Sequence, residues 1–174
     1  AVAKGEHGGI TQAIGAYQII HEGSPITFID TPGHAAFEKM RSRGAKVADI
    51  AVLVVALDDG IMPQTIEAIK HINDAKVPMV VAVNKIDLPG LNKTAQMEKI
   101  KKQLSDREVL IEEYGGNVPI IEVSAKTGLG VDKLLEIIQL VAEVSEFKGD
   151  PDLPATGVVV ESKLDKFKGS IATV

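Results

Sequence analysis

The chain contains no cysteine, which excludes disulfides and thiolate metal sites and fits an intracellular protein. It contains no tryptophan, and aromatic residues make up only 3% of it. A core must therefore be built from Val, Ile, Leu and Ala, as in parallel sheets buried between helices. Long apolar runs are missing too. The longest, Ile50 to Leu57, falls far short of the ~20 residues that cross a bilayer, so no membrane is expected as a partner. There is no excess of positive charge, the formal net charge being −5. A domain that grips nucleic acid by itself usually carries a basic surface, so DNA is not an expected partner and direct RNA affinity should be weak or local. Ala1-Val2-Ala3-Lys4 supplies neither a starting Met nor the apolar stretch of a signal peptide. The expectation is a piece of a longer intracellular protein.

What is present is a patterned 174-residue chain, 45% apolar, enough for one α/β domain and a little more. Residues 1–16 are rich in small residues and read as a loop. Tyr17 to His21 and Ile26 to Asp30 read as strands of a hairpin turned at Glu22-Gly23-Ser24-Pro25. A helix is expected at about 34–46. Ile50 to Leu57, Met79 to Val83 and Ile120 to Val123 are continuous apolar runs with β-branching, the pattern of strands buried on both faces. Helices are expected between and after them: one beginning at Pro63 with Ile66, Ile69 and Ile72 inward, one at Thr94 to Leu104, one at Val131 to Val141. Strand and helix alternate from residue 50, which predicts a mostly parallel sheet with helices on both faces. In such sheets ligands bind beyond the carboxyl ends of the strands.

Three polar clusters sit there. Asp30-Thr31-Pro32-Gly33-His34 follows the second strand. A carboxylate at Asp30 could hold Mg²⁺ through water beside a terminal phosphate. Gly33 could present its N–H to that phosphate, and His34 could orient an attacking water. Alone, the five residues read rather as an ordinary strand-to-helix turn, with Asp30 as a cap and Pro32 starting the helix. Asn84-Lys85-Ile86-Asp87 follows the run MVVAV. Guanine offers N1–H and N2–H₂ as paired donors, which the Asp87 carboxylate can accept together; adenine has no N2 donor. Asn84 offers an amide to N7 or to the loop, and the Lys85 stem can lie along the base. The bland alternative is a polar loop with a capping Asp. Ser124-Ala125-Lys126 follows IIEV and could direct a backbone N–H at guanine O6; alone it reads as the start of a turn. Three such clusters in this order, each after an apolar β-run, together predict a guanine-nucleotide site.

These residues resemble the GTP-binding domain of bacterial-type translation initiation factor 2. Gly8-Gly9-Ile10-Thr11-Gln12 resembles that family's first switch. Asp30 to His34, continuing through Ala35-Ala36-Phe37-Glu38-Lys39-Met40-Arg41-Ser42-Arg43-Gly44-Ala45, resembles the second. Asp58-Asp59-Gly60-Ile61-Met62-Pro63-Gln64-Thr65 is similar to translational GTPases generally. The resemblance implies GTP or GDP and Mg²⁺ as ligands. Thr11 would coordinate Mg²⁺, with Asp30 supporting it through water. Thr31, Pro32 and Gly33 would lie at the phosphates, and His34 would position the hydrolytic water. Asn84, Lys85, Ile86 and Asp87 would read the base with Ser124, Ala125 and Lys126 beside them.

The family also opens with a strand and a Gly-x-x-x-x-Gly-Lys-Ser/Thr loop, which grips the phosphates. No Gly-Lys dipeptide occurs in this chain. The implied fold is therefore an α/β fold of the P-loop GTPase type, truncated at its N-terminus and followed by the first strands of a β-barrel. The implied division is a partial GTP-binding domain at 1–148, a linker at 149–155 and the start of a barrel at 156–174. The implied function is GTP hydrolysis by an initiation factor that promotes initiator tRNA binding and ribosomal subunit joining. The implied compartment is the cytoplasm, or else a mitochondrial or plastid matrix. The alternative is that the chain alone is a non-catalytic structural or interaction module, binding nucleotide weakly. Without the first strand a sheet edge is left open, so strand-exchanged self-association is expected.

Overall fold

A computed structural model of the chain describes residues 15–31, 44, 47–148, 152, 154, 157, 159, 161–166 and 169–173. The chain divides into two units, 1–48 with 148–174, and 49–147. In the first unit, β1 (Gly15–His21) and β2 (Ser24–Asp30) form an antiparallel hairpin. Its two-residue turn is Glu22-Gly23, both at positive φ, where glycine carries no steric penalty. Ser24 and Pro25 belong to the strand, so the turn is shorter than the sequence suggests. Tyr17 stacks on its cross-strand partner Phe28 with ring centroids 5.4 Å apart.

The second unit is the parallel layer that the apolar runs predict. It contains β3 (Ala51–Ala56), α1 (Pro63–Ala75), β4 (Met79–Asn84), α2 (Lys93–Ser105), a short 3₁₀ turn at Glu112–Tyr114, β5 (Ile120–Glu122) and α3 (Val131–Val144). The strands run parallel in the order β3-β4-β5, with Ala56 opposite Asn84 and Val83 opposite Glu122. β4 is buried from Met79 to Val83, because alternate side chains enter two cores. Val81 and Val83 join Leu53, Val55 and Leu57 under Ile69 and Ile72 of α1 and Met97, Ile100 and Leu104 of α2. Val80 and Ala82 join Ile121 and Val123 under Leu134, Ile137 and Val141 of α3.

Local chemistry sets the helix ends. Pro63 occupies the first turn of α1, and Thr65 Oγ1 accepts the Met62 N–H at 3.2 Å. Asn92 caps α2 by accepting the Ala95 N–H. Gly130 starts α3 at φ +75°, and a Cβ there would lie 2.1 Å from the Glu122 carbonyl oxygen. Ile66 departs from expectation, being exposed on α1. A three-residue repeat precesses about 60° per step around a helix, so Ile66 lies well off the Ile69–Ile72 face.

The expected helix at 34–46 lies largely outside the described residues, apart from the Ala48 N–H donated to the Gly44 carbonyl. Beyond residue 148, β6 (Glu161–Asp165) and β7 (Gly169–Thr173) form a second antiparallel hairpin. Residues 156, 158 and 160, in the part expected to open a barrel, lie outside the described residues.

Candidate functional site

Two loops meet at the carboxyl ends of β4 and β5. The Val123 N–H donates to Val83 O at 2.8 Å, continuing the ladder one residue past β5. The chain beyond each strand then leaves at the same level, which places residues 84–87 beside 123–126. Asn84 joins the two loops. Its Oδ1 accepts the N–H of Lys85 at 2.8 Å and the N–H of Ala125 at 2.9 Å. Two donors on one oxygen fix the orientation of the amide and reserve its NH₂ as a donor. Lys85 takes φ +68°, a left-handed conformation rare for a side chain of this size.

Ser124 is fully buried, and its hydrogen bonds account for that. Its hydroxyl donates to Asp87 Oδ1 at 2.7 Å and accepts the Thr127 N–H at 3.2 Å. This bond holds the Asp87 carboxyl below its ordinary range, while burial acts in the opposite sense; Lys126 and Lys93 add attraction. Asp87 is therefore an ionised acceptor at neutral pH, with Oδ2 still available. A paired donor such as a guanine N1–H and N2–H₂ edge matches that carboxylate. A sequence as short as Ser-Ala-Lys gives almost no sign of this positioning role.

Lys85 carries a partnership that the motif alone does not reveal. Its ammonium sits between Asp58, at 2.8 and 2.9 Å, and Asp59, at 3.2 Å. These contacts raise the Lys85 pKa, the Asp58 bond contributing most, and lower that of Asp58. Both acids follow β3, whose Ala56 is register partner to Asn84. The signal was in the sequence: Asp58-Asp59-Gly60 stands directly after an apolar strand, as the other clusters do.

Five of the expected base-reading residues, Asn84, Asp87, Ser124, Ala125 and Lys85, thus belong to one connected network. Ile86 is buried in the core beneath it, so its side chain is structural. Lys126 is exposed on the same loop. Asp30 and Thr31 end the hairpin of the first unit. Thr11, Pro32, Gly33 and His34 lie outside the described residues.

A family model described as the elongation factor Tu GTP binding domain matches residues 2–143. The chain belongs to that family. Among curated relatives of this GTP-binding-domain chain, translation initiation factor IF-2 from Caulobacter sp. (strain K31) is 56% identical over 174 residues. That alignment covers 99% of this chain and 16% of the relative. Translation initiation factor IF-2 from Chloroflexus aggregans is 57% identical over 173 residues, covering 99% of this chain and 22% of the relative. The crystal structure of GDP-bound aIF5B from Aeropyrum pernix superposes with a TM-score of 0.72 at 27% identity, covering 99% of this chain and 37% of that one. The chain therefore spans less than a quarter of the length of these two curated relatives. The family and the solved structure bear out the expected α/β fold and its parallel sheet between helices. The relatives bear out the resemblance drawn from the switch-like and Asn-Lys-x-Asp residues.

Proposed function

We propose that this chain is the base-reading and switch-bearing part of the GTP-hydrolysing domain of a translation initiation factor. The carrying observation is the network of Asn84, Asp87, Ser124 and Ala125 at the ends of adjacent parallel strands. It leaves one amide donor and one ionised carboxylate facing the requirements of guanine. Asp87 would accept N1–H and N2–H₂, Asn84 would donate to N7, and a backbone N–H of residues 124–126 would meet O6. The relatives' name supports a role in translation initiation as part of a longer protein; within that role the chain would serve initiator tRNA binding and ribosomal subunit joining, in the cytoplasm.

Thr31, Pro32 and Gly33 would face the phosphates, and His34 would orient the attacking water. Oxygen donors suit a hard divalent cation, so Thr11 and, through water, Asp30 are the residues that would hold Mg²⁺. The ion would neutralise phosphate charge. Catalysis would rest on positioning and electrostatics. The switches would order around GTP and release after hydrolysis. Residues 1–148 would then be the GTP-binding domain, 149–155 a linker and 156–174 the opening of a β-barrel.

A second reading concerns the chain by itself. β3 pairs only with β4 among the described strands, and Val54 on it is 58% exposed. An apolar, unpaired parallel edge favours strand exchange between copies. Titrating fluorescent GDP against this chain and against a version extended upstream in the parent gene separates the readings. Binding is expected in the longer form only. Equal tight binding by both would show that the residues present suffice, and no binding by either would sink the GTPase assignment. Sedimentation of this chain as a strict monomer would remove the strand-exchange reading.

A further inference from the structure

The Lys85 side chain is anchored at both ends. Its backbone N–H is held by Asn84 Oδ1, and its ammonium is held by Asp58 and Asp59. The second anchor adds little to the fold. Lys85, Asp58 and Asp59 side chains are 42%, 32% and 54% exposed, the range where ion pairs are screened by water and worth little. An unusual backbone conformation and two carboxylates on one exposed ammonium call for another explanation.

The explanation lies two residues away. Asp87 must keep its carboxylate free if it is to accept paired donors from a base. Lys85 is a flexible cation close in sequence and is the natural competitor for that carboxylate. In the structure its ammonium bonds to Asp58 and Asp59, while the cations acting on Asp87 are Lys126 and Lys93. Parallel register makes this possible, because Asp58 follows Ala56, the partner of Asn84, and so reaches the same sheet end.

We infer that Asp58, with Asp59, is a positioning residue of the guanine site: it holds the Lys85 ammonium away from Asp87 and preserves the Asp87 carboxylate for the base. This inference rests on the guanine-site reading above. It adds two residues that touch neither base nor phosphate and act only through Lys85. The consequence is selective. Losing the acids lets Lys85 pair with Asp87, which weakens nucleotides that carry the N2 amino group more than those that lack it.

The test is equilibrium binding of GDP and inosine diphosphate to the full-length protein containing this chain. The proteins compared are the parent, Asp58→Asn/Asp59→Asn, Lys85→Met, and the triple variant, each checked for its folded circular dichroism spectrum. The double acid variant is expected to bind GDP about fivefold more weakly, the upper end for one exposed charge pair, and to lose part of its preference for GDP over inosine diphosphate. Acting through Lys85 means that the same acid substitutions change nothing further in the Lys85→Met background. Asp87→Asn serves as the control for the site itself. If Asp87→Asn weakens GDP while the acid variant binds like the parent, the positioning role is overturned and the guanine site stands. An acid effect undiminished by Lys85→Met also overturns it. If the parent binds no GDP, both fall together.

Discussion

Asn84 has two separable jobs, and replacing it in two ways should pull them apart. Its Oδ1 stitches the loops through the N–H groups of Lys85 and Ala125, at 2.8 and 2.9 Å. Its NH₂ is the proposed donor to purine N7. Asn84→Ala removes both roles and leaves two backbone N–H groups without their acceptor. Each such hydrogen bond contributes about 1 kcal/mol net, so the loss should be about 2 kcal/mol. In a unit of this size each kcal/mol moves Tm by about 4–8 °C, so a fall of about 8 °C or more is expected. Asn84→Asp retains an acceptor for both N–H groups but replaces the amide donor by a charged acceptor. It should unfold within a few degrees of the parent while binding GDP roughly tenfold more weakly, the scale of one lost hydrogen bond to a ligand. Urea or thermal unfolding followed by circular dichroism gives the first quantity, and fluorescent GDP titration of the longer protein the second. The reasoning is refuted if Asn84→Ala is as stable as the parent, or if Asn84→Asp binds GDP undiminished.

Leu104 is fully buried under the sheet, so Leu104→Ala should cost about 2–5 kcal/mol in chemical denaturation. Gly130→Ala should cost more than the ~1–3 kcal/mol of a strained positive φ, because the new Cβ would also strike the Glu122 carbonyl oxygen; a parent-like denaturation midpoint would show that α3 can shift to make room. Asp58 and Asp87 have lowered pKa values, so what they add to stability is present above the unfolded value near 3.8 and is lost as pH falls through the folded values. Lys85 and Lys101 have raised values, so their contribution is present below 10.5 and is lost as pH rises through the folded values above it. These four groups should therefore leave stability flat from about pH 5 to 9, measurable by denaturation across that window.

The strands were legible because parallel burial leaves a simple trace: Ile50 to Leu57 and Met79 to Val83 are apolar without alternation. Pro63 marked its helix start for an equally local reason. The turn at Glu22-Gly23 was legible from its glycine, although its length was not, since Pro25 tolerates a strand position in a two-stranded hairpin. What escaped the sequence depends on register between distant segments. Ser124 acts on a residue 37 positions away, and Asp58 reaches Lys85 only because β3 and β4 end at one level. Lys101 stands in a polar helix among Lys99 and Lys102 with nothing in the sequence to set it apart, yet it lies between Glu98 and Glu113, the second of which comes from the following 3₁₀ turn. Base recognition was visible as residue types in order; the network that holds those residues in place was not.

The central claim is that Asp87 reads the two donors of guanine. Xanthine carries a carbonyl where guanine carries the 2-amino group, so Asp87→Asn, which exchanges an acceptor for a donor, should move preference from GDP to xanthosine diphosphate. The deciding measurement is the ratio of the two dissociation constants in the longer protein, before and after that single change. The ratio is expected to invert. A variant that still prefers GDP as strongly as the parent would contradict the claim.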